Sequence, residues 1–141
     1  MKEFAAAEWR RALRTLGSAR ELVGADPDSA ASRAYYAAFH ALTALFALRG
    51  RTFTSHSAIR AALHRDLIVP GEWPADLGRD YDFLMDLREM GDYGGLAQVA
   101  SDSARMAVEK ATTFLAAVDR LCPELAATGG GRAAGPAQPP Q

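Results

Sequence analysis

The chain has 141 residues, of which 49% are hydrophobic and 23% are charged, and its formal net charge is −1. This length predicts one domain with a core of its own, and the near-neutral charge excludes a global field that draws the protein to nucleic acid, so any contact with RNA must be local. The single cysteine, Cys122, excludes an internal disulfide and offers no zinc site, which fits a reducing compartment.

No segment of the sequence predicts membrane insertion or secretion. The longest uncharged run, residues 34–48, has 15 residues, whereas a helix that spans a bilayer requires roughly 20 apolar residues. The N-terminus carries Glu3 and Glu8 and has no small-residue cleavage pattern typical of a signal peptide. We therefore expect a cytoplasmic protein that does not contact a membrane.

Two long helices are predicted in the N-terminal third of the chain. Over residues 2–23, apolar side chains that include Phe4 recur every three or four positions, which is the pattern of an amphipathic helix. Asp26 is placed to cap a second helix over residues 27–49, and Gly50 is placed to end it in a left-handed conformation.

The second helix carries two different faces. Tyr35 and Phe39 belong to an apolar stripe, whereas Arg33, Tyr36 and His40 lie on a neighbouring face, about 100° round the helix axis. That face is either a satisfied polar cluster or the wall of a groove that holds a nucleotide base on Tyr36 and its phosphate on Arg33. The sequence alone is compatible with both interpretations.

A short third helix and a proline-containing loop follow. Thr54 or Ser55 is suited to cap this helix, which we expect to continue as far as Asp66 with His64 on the solvent side. In the loop, Trp73 stands between a glutamate and a proline, which suggests an exposed aromatic that anchors a partner or covers the end of the bundle. Of the two, we expect it to cover the end of the bundle.

Two further helices complete the predicted fold. One covers residues 75–90 and ends at the glycine-rich stretch GDYGG, and the other covers residues 96–121 with Met106 facing inward. No alternating strand pattern is present, so the sequence predicts an all-α, antiparallel four- to five-helix bundle over residues 1–126. Residues 127–141, rich in Gly, Ala and Pro, are predicted to be a disordered tail.

Three segments resemble one family when they are taken in order: SRAYYAAFHAL at residues 32–42, FTSHSAI at residues 53–59 and LREMGDYGG at residues 87–95. Together they resemble small prokaryotic HEPN-domain proteins over about residues 3–121. The resemblance implies a helical bundle that is usually a dimer and is often encoded beside a minimal nucleotidyltransferase. Many members are metal-independent ribonucleases, and several are toxins whose partner is the antitoxin.

The motif of those nucleases is only partly present. It combines an arginine, a histidine at a helix end and often a tyrosine close behind; Arg88 matches the arginine and Tyr93 the tyrosine. This chain instead ends its motif helix in R-x-x-G-D-Y, so that Asp92 stands where a histidine is expected. A carboxylate with a reference pKa of about 3.9 is ionised at pH 7 and is a weak general base.

The resemblance leads to three hypotheses. In the first, the protein is an interaction subunit, a homodimer that pairs with a minimal nucleotidyltransferase, binds RNA or nucleotide and acts in a toxin–antitoxin pair. Arg88 then contacts phosphate, Tyr36 and Tyr93 line the site, and Asp92 orients Arg88. In the second, the protein is a metal-independent ribonuclease in which Asp92 or His56 replaces the motif histidine. In the third, it is a helical scaffold without a ligand site.

Ligand contacts are expected on the second helix and the following loop. Arg33, Tyr36, His40 and His56 are the candidate ligand-binding residues, and His40, His56 and Arg88 are expected to converge in the bundle although they are distant in sequence. No metal site and no cofactor are predicted.

Overall fold

The computed structural model describes residues 1–95, 98–127 and 131–133, and these segments form an all-α bundle without a β-strand. The helices are α1 (Lys2–Leu22), α2 (Pro27–Leu48), α3 (His56–Leu63), α4 (Ala75–Tyr93) and α5 (Ser101–Leu121), and a π-helical turn, His64–Ile68, continues α3. The predicted all-α bundle is therefore confirmed. Within the described segments, no helix combines the length and the apolar character that crossing a membrane requires.

Helix α2 is the centre of the bundle and packs against α1, α4 and α5. Its inward positions are dominated by alanine, whose single methyl group lets neighbouring helices approach closely. The buried alanines of α2 are Ala30, Ala31, Ala34, Ala37, Ala38, Ala41, Ala44 and Ala47. Larger side chains, including Tyr35 and Phe46, fill the spaces that these methyl groups leave.

The ends of α2 and the start of α3 follow the predicted capping. The Ser29 backbone N–H donates to Asp26 Oδ1 at 3.2 Å, and Gly50 has a φ of 76°. Of the two candidate caps for α3, Ser55 is the one used, since its Oγ accepts from the Ala58 N–H at 3.1 Å. These local signals placed three of the helix ends.

Helix α4 extends to Tyr93 instead of ending at about residue 90, because Gly91 does not serve as an exit. An alanine Cβ at Gly91 would lie 3.0 Å from the carbonyl oxygen of Asp28, so the missing side chain allows α4 to approach the first turn of α2. Asp28 also accepts the backbone N–H of Val99 through Oδ1 at 2.7 Å. The loop before α5 is thereby tied to α2, and α5 begins at Ser101.

Several predicted side-chain placements are wrong. The fifth helix was expected to begin at residue 96; residues 96 and 97 lie outside the described segments, and residues 98–100 are not helical. Met106 and Phe4 were expected to face inward, but their side chains are 47% and 44% exposed. The predicted inward positions of Phe114 and Ala117 are confirmed, whereas Met106 lies outside the stripe because its position is about 100° round the helix axis from the buried Ala107.

His64 and Trp73 both pack into the bundle. His64 was expected on the solvent side, but it is half-buried: Nε2 lies 2.9 Å from Asp82 Oδ1 and the ring lies against Gly78. Trp73 is buried edge-on against Phe114, with ring centroids 5.2 Å apart. The expectation that Trp73 covers the bundle end is confirmed.

The C-terminal residues that are described contact α1 and α5. The Trp9 indole N–H donates to the carbonyl oxygen of Gly131 at 2.8 Å, and the Ala133 N–H donates to Asp119 Oδ2 at 3.2 Å. Most of the tail that we predicted to be disordered, residues 128–130 and 134–141, lies outside the described residues. The contacts of Gly131 and Ala133 show where the chain passes over the bundle.

Candidate functional site

A cluster of aromatic and basic side chains gathers where the middle of α2 meets the start of α3 and the end of α4. We call it the Tyr–His–Arg cluster and define it as Tyr35, Tyr36, Phe39, His56 and Arg88. His56 is the first residue of α3, and its ring lies 4.6 Å from that of Phe39 and 5.8 Å from that of Tyr36, centroid to centroid. Capping by Ser55 starts α3 at this point and so places His56 against α2.

A chain of hydrogen bonds holds the imidazole of His56. Tyr81, buried in α4, donates its hydroxyl to Tyr35 Oη at 3.5 Å, and Tyr35 Oη lies 2.7 Å from His56 Nδ1. Burial raises the pKa of Tyr81 well above its ordinary value and also raises the pKa of Tyr35, so both phenols stay protonated. With Nδ1 engaged, Nε2 is the ring nitrogen of His56 that is left for a substrate: it donates when Tyr35 donates to Nδ1, and it accepts when Nδ1–H donates to Tyr35.

The electrostatic surroundings of His56 favour its neutral form. Burial of the ring lowers the pKa of His56, and the positive charges of Arg88 and His40 lower it further. A neutral imidazole at pH 7 accepts a proton or a hydrogen bond, which an imidazolium cannot do. His56 therefore has the protonation state that general-base chemistry or hydrogen bonding to a nucleotide requires.

Arg88 is the buried cation of the cluster. Its side chain is only 9% exposed, and its guanidinium carbon lies 4.9 Å from the centroid of the Tyr35 ring and 5.7 Å from that of Tyr36. The Nη1 atom donates a long hydrogen bond of 3.4 Å to the hydroxyl of Tyr36. The aromatic faces thus supply much of the stabilisation of this charge.

The carboxylates near Arg88 do not bind it tightly. Asp92 lies 3.8 Å and Glu89 lies 4.0 Å from the nearest guanidinium nitrogen, and the buried Nε of Arg88 has no hydrogen-bond partner. Asp92 is turned partly toward α2, where the Ser32 hydroxyl lies 3.5 Å from its Oδ2. Arg88 therefore keeps donor capacity that its own chain does not use.

A basic cleft adjoins the cluster on the other side of Tyr36, between α1 and α2. The cleft measures about 440 Å³. We call it the α1–α2 cleft, and its lining residues are Arg11, Arg14, Thr15, Ser32, Arg33, Tyr36 and His40. His40 is fixed at its edge because Nδ1 lies 2.7 Å from Glu8 Oε2. Tyr36 is shared by the cleft and the cluster.

The predicted site residues fall into three groups. Tyr36, His56 and Arg88 come together in the cluster, whereas His40 lies beside it, with its ring 6.2 Å from that of Tyr36 and its Nδ1 2.7 Å from Glu8 Oε2. Arg33 lies in the cleft. Tyr93 stands apart: it is 76% exposed, and its side chain makes no hydrogen bond or ring contact within the described segments.

Some members of the site were missed from the sequence. Tyr35 was assigned to the core, yet its hydroxyl holds His56; a signal was present, since a buried tyrosine hydroxyl needs a partner. Glu8, Arg11 and Arg14 were missed because nothing in the chain order indicates which face of α1 meets α2. Among the described residues, no group of three or more His, Cys, Asp or Glu side chains is placed to hold a metal ion.

Comparisons with known proteins show the family to which the chain belongs. A model of the HEPN domain matches residues 6–121, which include every residue of the cluster and the cleft. A UPF0332 protein from Thermotoga maritima is 34% identical over 119 residues, a match that covers 83% of this chain and 90% of that protein.

Proposed function

The chain belongs to the HEPN domain family, and from that premise we propose that it is an interaction subunit that binds RNA or nucleotide through the Tyr–His–Arg cluster. In this proposal the protein is a homodimer, pairs with a minimal nucleotidyltransferase and is one component of a toxin–antitoxin pair. Arg88 contacts a phosphate, Tyr36 stacks on a base, and Asp92 orients the guanidinium. Arg33, His40 and His56 complete the ligand contacts.

The observation that carries the proposal is the state of Arg88. Removing a guanidinium from water is costly unless it is paired and hydrogen-bonded. Here the side chain is 9% exposed, its nearest carboxylates lie 3.8 and 4.0 Å away, and Nε lacks a partner. A phosphate would supply the missing negative charge and hydrogen-bond acceptors, because its oxygens accept parallel hydrogen bonds from a guanidinium.

The proposal of a protein partner is supported by apolar side chains left on the surface. Met90 and Tyr93 at the end of α4 are 43% and 76% exposed, and Met106 on α5 is 47% exposed. Methionine and tyrosine are enriched in protein interfaces. We therefore expect the exposed end of α4, where Met90 and Tyr93 flank Asp92 in the sequence, to contact the second copy or the nucleotidyltransferase.

The binding proposal is tested with the variant Arg88→Met, which keeps most of the buried stem and removes the charge. Binding of a fluorescent single-stranded RNA oligonucleotide should weaken about tenfold or more, since a hydrogen bond to a charged group contributes about 1.5–3 kcal/mol. The matched control is Arg105→Met, which removes an exposed arginine of α5. Thermal unfolding of both variants reports whether the fold is kept, and equal affinity of wild type and a folded Arg88→Met protein refutes the proposal.

The partner proposal is tested separately. Multi-angle light scattering should give the mass of a dimer, and the protein should co-purify with a nucleotidyltransferase encoded by an adjacent gene when the two are expressed together. If the protein is a monomer and binds neither the nucleotidyltransferase nor RNA, only the scaffold hypothesis is left.

A second candidate function is metal-independent RNA cleavage, favoured by the position of His56. His56 lies in the same cluster as Arg88 and has a lowered pKa. In the tautomer whose Nδ1–H donates to Tyr35 Oη, Nε2 of the neutral ring can take the proton of a 2′-hydroxyl that attacks the neighbouring phosphate, while Arg88 stabilises the added negative charge. RNA cleavage in the presence of a chelator that is lost in both His56→Gln and Arg88→Met supports this function. Absent cleavage, or equal cleavage by all three proteins, excludes it.

A further inference from the structure

The α1–α2 cleft has more positive charge than the chain itself neutralises. Three of its lining side chains are arginines, Arg11 and Arg14 from α1 and Arg33 from α2. Two carboxylates lie near them: Glu8 binds His40 at 2.7 Å and lies 3.9 Å from Arg11, and Asp92 lies 3.5 Å from the hydroxyl of Ser32 in the lining. Arg14 and Arg33 form no side-chain hydrogen bond or ion pair within the described segments. Elsewhere on the surface most arginines are paired, as Arg49 is with Glu72 at 2.5 Å.

The size of the cleft fits a nucleotide rather than an isolated ion. Its volume is about 440 Å³, within the range of about 300–1,000 Å³ that small-molecule sites occupy. The hydroxyls of Thr15 and Ser32 line the same space as the arginines and add hydrogen-bond donors for phosphate oxygens. Tyr36 closes one wall and presents an aromatic ring on which a base can stack.

We propose that the α1–α2 cleft binds a terminal phosphate group, a phosphomonoester or a polyphosphate, carried either by a free nucleotide or by the 5′ end of an RNA. This inference rests on the proposed function and adds a second subsite to it, beyond the single phosphate that Arg88 contacts. Arg14 and Arg33 approach the group from opposite walls, and Tyr36 joins the two subsites.

The charge of the cleft favours a terminal group over an internal linkage. An internal phosphodiester carries one negative charge, whereas a terminal phosphate carries about 1.5–2 charges at pH 7 and a further acceptor oxygen. The three guanidiniums outnumber the two nearby carboxylates, Glu8 and Asp92, and are matched better by the more highly charged group. Because the arginines are exposed to solvent, the attraction should be strong at low salt and should weaken as salt is added.

The test compares probes that differ only in their phosphate. Isothermal titration of the full-length protein at low salt should give tighter binding for ATP than for AMP, and no measurable binding for adenosine. In a parallel arm, a short single-stranded RNA with a 5′-phosphate is compared with the same RNA ending in a 5′-hydroxyl. The arm with the stronger phosphate dependence identifies the source, free nucleotide or RNA end.

The matched variants are Arg11→Ala/Arg14→Ala, which removes two arginines of the cleft and keeps Arg33 of the proposed RNA site, and Arg105→Ala/Arg79→Ala, which removes the same charge from other helices. The cleft variant should bind ATP or 5′-phosphorylated RNA at least tenfold more weakly than wild type. Its affinity for 5′-hydroxyl RNA should stay within about twofold of the wild-type value. The control variant should change neither of these two affinities by more than about twofold.

The outcomes separate this inference from the proposed function. If 5′-hydroxyl RNA binds in a way that depends on Arg88, and a terminal phosphate does not tighten the binding, the proposed phosphate site in the cleft is refuted. The proposed RNA site in the Tyr–His–Arg cluster is then retained. Equal weakening by the cleft and control variants also overturns it, because the effect is then one of net charge. If the wild-type protein binds neither RNA nor nucleotide, both the cleft proposal and the proposed function are refuted.

Discussion

Replacing Gly91 with alanine should destabilise the bundle even though alanine is the better helix former. The new Cβ would lie 3.0 Å from the carbonyl oxygen and 3.4 Å from the Cα of Asp28, and 3.5 Å from Cγ2 of Val99. Two of these atoms belong to the backbone of α2, so no side-chain rotation relieves the contact. Overpacking of this kind costs about 1–3 kcal/mol, whereas helix propensity returns at most about 1 kcal/mol and less in the last turn. We expect a net loss of about 1–2 kcal/mol.

Gly17→Ala is the matched control, because Gly17 lies inside α1 and a Cβ there meets no atom within 4 Å. This variant should gain about 0.5–1 kcal/mol of stability. Urea unfolding followed by circular dichroism measures both values, and each kcal/mol should move the melting temperature by about 4 °C. A Gly91→Ala protein that is as stable as wild type, beside a stabilised Gly17→Ala protein, would refute the close approach of α4 to α2.

Three further predictions concern polar contacts near the site. Tyr35→Phe removes the hydroxyl bound to His56 and leaves the buried hydroxyl of Tyr81 without its acceptor, so the free energy of unfolding should fall by about 1–3 kcal/mol; an unchanged urea midpoint contradicts this. Because the folded state lowers the pKa of His56 from its ordinary 6.5, the unfolded chain binds more protons below that pH. His56 should therefore cost no stability above about pH 6.5 and should reduce it as the pH falls toward the folded-state pKa. His56→Gln should lose less stability than wild type between about pH 7 and 5, and equal losses would show that His56 does not contribute. Asp28→Ala leaves the N–H of Val99 without its acceptor and should cost about 1–2 kcal/mol, whereas Asp28→Asn keeps an acceptor oxygen and should cost less; a reversed order in urea unfolding argues against this bond.

The helices were predictable where a local signal marks them. Asp26 and Gly50 delimit α2 because a side-chain cap and a left-handed glycine act within a few residues of their own position. The end of α4 was not predictable in this way. The sequence pattern predicts that the helix ends near Gly91. The role of Gly91 depends instead on Asp28, which is distant in the chain and lies close to it only after folding.

The candidate site was predictable in its residue types but not in its arrangement. Arg88, His56 and Tyr36 could be selected from the sequence by their resemblance to a family motif or by their polar character within an apolar helix. The pairing of His40 with Glu8 and the contribution of Arg14 required knowing which face of α1 meets α2. Helix periodicity gives the faces of one helix, and it does not give the rotation of a neighbouring helix about its own axis.

The alanine-rich interior of α2 has a consequence for the entropy of folding. Alanine has no rotatable side-chain bond, so burying it costs no rotamer freedom, and eight of the buried positions of the central helix are alanine. Within α2 the loss of side-chain motion on folding is therefore concentrated in the larger groups, among them Tyr35 and Tyr36, which pack against Arg88 in the cluster. A ligand that meets these groups finds them already immobilised, and it need not supply the free energy that would otherwise be spent on ordering them.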